Sequence, residues 1–149
     1  MNPYLEQMIL SASPVELIRL LYQRAIGSAR EAREHLREGR VEKRCASINV
    51  VYAVLTELTS SLRAEDAPEL AEKLNGLYGY MQGRLVEANL QQLDEPLVEV
   101  IGLLTTLAEA WNAVPDPFVQ EAAAQSSWSA GGGVPAVGAG GVYRVAGSA

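Results

Sequence analysis

The chain is poor in most of the residues that site chemistry uses. It has one cysteine, Cys45, and one histidine, His35, among 149 residues. A lone cysteine closes no intrachain disulfide and a lone histidine supplies no multi-histidine metal site, which excludes zinc fingers and di-iron bundles and leaves no Cys-His protease pair in a pocket. Basic residues are the minority, with 12 Lys and Arg against 18 Asp and Glu and a formal net charge of −6. Phosphate backbones are bound through clustered Lys and Arg, so nucleic acid is not expected as a partner. No apolar run reaches the length of a membrane span, and no basic region precedes the short apolar stretch of MNPYLEQMILSASP. The expectation is a cytoplasmic protein without a signal peptide or membrane insertion. Phosphate loops, nucleophile elbows and metal-ligand spacings are all missing, so the chain reads as a non-enzyme with no cofactor and no metal.

What is present is apolar and helical. Hydrophobic residues make up 48% of the chain, enough for one domain with a substantial core. Ser13, Pro14 and Glu16 form a helix-start signature: Ser13 can accept from the Glu16 amide, and Pro14 stands where no amide partner is needed. Ile18, Leu21, Tyr22, Ala25, Ala29, Ala32 and Leu36 then draw one stripe, with Gly39 as a left-handed cap. A second stripe runs through Ile48, Val51, Tyr52, Leu55, Leu58 and Leu62. Asp66, Pro68 and Glu69 announce a third, through Leu70, Leu74, Leu77, Met81, Leu85 and Ala88. Asp94 and Pro96 open a fourth, through Leu97, Val100, Ile101, Leu104, Leu107, Ala108 and Trp111, closed by Pro115 and Pro117.

Four such helices, at about 14–38, 41–63, 67–91 and 95–113, joined by short connections, predict an all-α fold. The expected architecture is an antiparallel up-down-up-down four-helix bundle over residues 13–113. Residues 1–12 form a short N-terminal segment, and 114–125 could make a short helix. Gly131, Gly132, Gly133, Gly138, Gly140, Gly141 and Gly147 crowd the end of the chain, so 126–149 reads as a Gly-rich disordered tail, with Val134, Val137, Val142, Tyr143 and Val145 interleaved in it.

Few residues offer chemistry. The run Arg30, Glu31, Arg33, Glu34, Arg37 and Glu38 has the i,i+3 and i,i+4 spacings of surface ion pairs. His35 followed by Gly39 has the spacing of a histidine phosphotransfer domain, although Glu38 would repel a phosphoryl group and Gly39 already serves as a cap. Cys45 sits near a helix start with no catalytic partner. Apolar residues remain beside the core stripes: Leu17, Leu20, Val50, Val54, Tyr78, Val86, Val98 and Leu103. They either deepen the core or line a groove for another chain, and a dimer interface of a generic helical bundle is a third reading.

Four stretches give the chain a resemblance. Tyr4 with Met8, Ile9 and Leu10 leads into SASPVELIRLLYQRAI; INVVYAVLTEL follows from Ile48; LYGYMQGRLVEANL runs from Leu77 to Leu90; and LVEVIGLLTTLAEAW runs from Leu97 to Trp111. In content, order and spacing these resemble the FliS family of flagellin-specific export chaperones. The resemblance implies a chaperone that binds the disordered C-terminal segment of flagellin, prevents premature polymerisation and delivers it to the flagellar export apparatus without ATP. The physical fit is a helix-in-groove mode in which a disordered segment orders on an apolar surface. The resemblance further implies that the N-terminal segment can cover part of that groove. The expected partner-binding residues are Tyr4, Ile9 and Leu10 from that segment, with Val50, Val54, Tyr78, Val86 and Leu103, chosen by helical geometry, from the bundle.

Overall fold

The structure is a computed structural model that describes Pro3 and residues 13–114. The N-terminal segment, apart from Pro3, and residues 115–149 lie outside the described residues. Four α-helices make up the described chain: α1 (Pro14–Arg37), α2 (Val41–Ser60), α3 (Pro68–Gln91) and α4 (Glu95–Ala113). Each packs against the next, and α4 closes back on α1, the ring of neighbours that short connections between antiparallel helices produce.

The ends of α1 follow the sequence signals. Ser13 Oγ accepts from the Glu16 amide at 3.2 Å, and Pro14 opens the helix. At the other end Gly39 sits at φ +70, and the Arg40 amide reaches back to the His35 carbonyl at 2.9 Å. Glycine holds that left-handed position without a Cβ penalty. Gly39→Ala is therefore expected to lower stability by about 1–2 kcal/mol, read as a shift of the urea midpoint at unchanged m-value.

The other starts depart from the signals. The N-cap of α3 is Ala67, without a side-chain cap, because Asp66 lies one residue too early and its carboxylate faces Arg63 at 3.6 Å. Asp94 does occupy the N-cap of α4 but caps nothing. Its two oxygens accept instead from Arg33 Nε at 2.8 Å and Nη2 at 2.9 Å, a bidentate clasp between α1 and α4. Helix α2 ends at Ser60, and Leu62 beyond it still packs on the core.

The core joins Ile18, Tyr22, Ala25 and Ala29 of α1 to Val51, Leu55 and Leu58 of α2, Tyr78, Met81 and Leu85 of α3, and Leu97, Val100 and Leu104 of α4. Small residues line the inner face of α1 and let its neighbours come close, while Tyr22 and Tyr78 fill the centre. Their hydroxyls hydrogen-bond to each other inside the bundle, which satisfies two polar tips that burial would otherwise penalise. Two stripe positions differ from the sequence expectation: Tyr52 and Leu70 are exposed. On α3 the inward tyrosine position belongs to Tyr78, and Leu77 is only half-buried.

Candidate partner-binding surface

The α2–α3 seam is set by polar pairs that give its register. Arg44 is buried, and its Nε donates to Asn89 Oδ1 at 3.2 Å. The Cys45 thiol donates to the same oxygen at 3.3 Å. Two turns further, the Gln82 amide nitrogen bonds the Tyr52 carbonyl at 3.2 Å and Thr56 Oγ1 at 2.9 Å. The paired numbers rise on α2 as they fall on α3, so the helices are antiparallel. One turn before Cys45 and one turn after Asn89 stand Val41 and Leu93, at the same end of the seam.

That end is apolar and open. Val41, Val86, Leu90 and Leu93 are all exposed, Leu90 at 77% and Val86 at 46%, and Tyr52 continues the band toward the middle of α2. Leu93 is placed there by the end of α3. Gln92 turns into the left-handed region at φ 55, and the Leu93 amide closes back on the Ala88 carbonyl at 3.1 Å. The outward face of α3 continues away from Val86 as Gly83, Gly79 and Gly76, where an added Cβ would meet nothing within 4 Å. Beside four exposed apolar side chains, α3 thus presents a stretch of nearly bare helix.

The opposite edge of α3 is polar. Arg84 donates to Glu87 at 2.7 Å and lies 3.3 Å from Glu99 and 3.9 Å from Glu95 on α4. A hydrogen bond to Glu87 raises the Arg84 pKa further above its ordinary value. Tyr80 hydrogen-bonds to Glu99, and this, with partial burial and the nearby carboxylates, raises its phenol pKa. Three carboxylates gathered around one guanidinium make this edge net acidic.

At the α1–α4 seam the Asp94 carboxyl is held below its usual range by the hydrogen bonds from Arg33. A carboxylate with a lowered pKa contributes stability above its unfolded-state value and loses it as pH falls through the folded-state value. The pair is about half exposed, so its worth is that of a surface ion pair, ~0.2–1 kcal/mol. Asp94→Asn is expected to lower the melting temperature slightly at neutral pH and to leave it unchanged once both carboxyl forms are protonated. Thermal melts of both proteins across the acid range measure this.

The expected site residues fall into four groups. Tyr4, Ile9 and Leu10 lie outside the described residues. Val50 and Leu103 are half-buried, and Leu103 packs on the core. Val54 and Tyr78 are core residues, Tyr78 at 0% exposure, so in this packing neither offers its side chain outward. Among the described ones only Val86 is exposed. Leu90, missed by the sequence reading, follows it by one helical turn, and that i,i+4 repeat is the signal that could have found it; Val41 and Leu93 carry no such signal, because they lie at helix ends. His35 is half-buried, and its Nδ1 accepts from Arg40 Nε at 3.0 Å. Among the described residues no group of three His, Cys, Asp or Glu is placed to hold a metal, and no helix is long and apolar enough to cross a membrane.

A family model described as Flagellar protein FliS matches residues 1–117. The flagellar secretion chaperone FliS of Salmonella typhimurium is 35% identical over 118 residues, which covers 78% of this chain and 87% of that protein. FliSB of Pseudomonas aeruginosa, also a flagellar secretion chaperone, is 31% identical over 110 residues, covering 74% and 87%. FliS of Campylobacter jejuni is 31% identical over 113 residues, covering 76% and 88%.

Proposed function

The chain belongs to the FliS family of flagellar secretion chaperones, a family of chaperones and not of enzymes, and from that premise we propose that it binds the disordered C-terminal segment of flagellin in the cytoplasm. Binding keeps the subunit from polymerising early and presents it to the flagellar export apparatus. The observation that carries this reading is the exposed apolar band of Val41, Tyr52, Val86, Leu90 and Leu93 along the α2–α3 seam. A segment that is disordered alone loses conformational entropy on ordering, and apolar contact over a long surface offsets that loss. The bare glycine face of α3 lets a partner helix come close. Tyr4, Ile9 and Leu10 of the N-terminal segment serve as a cover for part of the same surface before flagellin arrives.

Histidine phosphotransfer through His35 is not favoured. The ring nitrogen Nδ1 is engaged by Arg40, and Glu38 pairs with that same arginine beside it. Co-purification tests the proposal: flagellin from the same cell is expected to elute with the tagged chain, and flagellin lacking its C-terminal segment is not. Retention of the truncated flagellin at full yield would overturn it.

A further inference from the structure

Arg44 is the one buried cation among the described residues, with 4% of its surface exposed. Buried charges are ordinarily paired with an opposite charge, yet among the described residues no ion pair includes Arg44. The carboxylates of Glu38, Asp94 and Glu87 are held by Arg40, Arg33 and Arg84 instead. The partners of Arg44 are neutral: Nε donates to Asn89 Oδ1 at 3.2 Å, and Nη2 to the Asn89 carbonyl at 3.5 Å. That carbonyl lies in the last turn of α3, where a helix leaves its own carbonyls unpaired and its dipole favours a cation. This makes the charge tolerable without using all of its donors. A guanidinium has five N–H donors, and among the described residues those on Nη1 have no partner. The only side-chain atoms sealed from solvent without a partner there are Arg84 Nε and Glu99 Oε1, so Nη1 opens outward.

The opening lies at the end of the apolar band. Val41 stands one turn before Arg44 on α2, Leu90 and Leu93 follow Asn89 on α3, and all three are exposed. A guanidinium fork matches a carboxylate, and aliphatic walls suit one carried by an apolar chain. A phosphate or nucleotide would lose hydration against Val41 and Leu93 without recovering it. From Tyr52 to Val41 helix α2 rises about 16 Å, or about three turns for a partner helix laid along it. Charge sets the direction of such a helix. With its C-terminus at Val41, it brings its negative dipole end and last unpaired carbonyls to Arg44, Lys43 and Arg40; reversed, it sets its positive end against them.

We propose that Arg44 receives the C-terminal carboxylate of the bound flagellin segment, whose last helix lies along the α2–α3 seam parallel to α3 and antiparallel to α2. This rests on the flagellin reading and adds to it an anchor and a direction. Val41, Leu90 and Leu93 hold the apolar side chains next to the carboxylate, and the buried guanidinium is held in place for it by Asn89.

Titration calorimetry of the full chain tests this without altering the protein. The ligand is a synthetic peptide of the flagellin C-terminal segment, made once as the free acid and once as the C-terminal amide. The amide is expected to bind about 10–100-fold more weakly, the range for hydrogen bonds to a charged group, and the Arg44→Met chain is expected to bind both forms alike. Equal affinity of the two forms for the unaltered chain would overturn the proposal and leave the flagellin reading standing, whereas binding of neither form would overturn both. A loss seen only when Asp and Glu of the peptide are replaced by Asn and Gln would put a side-chain carboxylate at Arg44 and overturn the terminal assignment. Direction is read separately, with p-benzoylphenylalanine near the peptide's C-terminus. Irradiation is expected to give crosslinks to residues 41–45 and 89–93, and crosslinks around Tyr52 and Gln82 would contradict the direction.

Discussion

Tyr78→Ala is expected to destabilise the bundle by about 3–5 kcal/mol, the range for deleting a large aromatic from a packed core. Tyr78 has no exposed surface, and it stands on α3 opposite Tyr22 of α1, with which it shares a buried hydroxyl pair. Truncation would remove the ring, leave a cavity lined by residues such as Met81 and Leu85, and take a hydrogen-bond partner from the Tyr22 hydroxyl. Domains of this size have about 5–15 kcal/mol in total, so the variant would sit near the edge of folding. Tyr78→Phe separates the contributions: it keeps the ring and removes only the hydroxyl contact, for about 1–3 kcal/mol. Urea denaturation measures both. A loss under about 1 kcal/mol for the alanine variant, on the scale of an ordinary surface change, would mean that Tyr78 is not in the core.

The opposite pattern is expected at the outer face of α3. Val86→Gln with Leu90→Gln should change stability by no more than about 0.5 kcal/mol, since both side chains are exposed and glutamine is a good helix former. The same double variant should weaken capture of the flagellin segment by about 10–100-fold. Full burial of a valine or leucine side chain is worth about 1.5–3 kcal/mol, and each 1.4 kcal/mol is tenfold in affinity; part of each side chain is already buried, so about half of the summed ~3–6 kcal/mol applies. Melting curves and binding isotherms on the same preparations read the two effects separately. Together with the Tyr78 series they divide α3 into a face that holds the fold and a face that meets other chains.

The sequence made the four helices legible because their punctuation is local. Ser13 with Glu16, and Gly39, act on backbone groups within one turn of themselves, and the structure has them in those roles. Asp66 and Asp94 carry the same kind of signal, but their carboxylates are drawn to Arg63 and Arg33, and the second of these lies on another helix where no local rule looks. The rotation of α3 was harder to read. Leu77 and Tyr78 are adjacent, both suit an apolar stripe, and three glycines on the outer face blur the contrast between its two sides. Tyr78 turned inward because its hydroxyl finds Tyr22 across the core, a contact 56 residues away in sequence. Burial of Arg44 has the same origin: its hydrogen-bond acceptor, Asn89, is supplied by α3. The resemblance to the FliS family rests on whole stretches rather than on single side chains, which is why the family is legible while periodicity leaves Val54 and Tyr78 open between core and groove; both are buried.

Titration calorimetry of the full chain with the isolated C-terminal segment of its flagellin tests the central claim most directly. The expected result is saturable binding to one site with a negative heat-capacity change, the mark of apolar surface leaving water, and a marked loss of affinity for the Val86→Gln, Leu90→Gln chain. Absence of binding heat at several temperatures, or wild-type affinity in that double variant, would contradict the assignment of the α2–α3 surface as the place where flagellin is held.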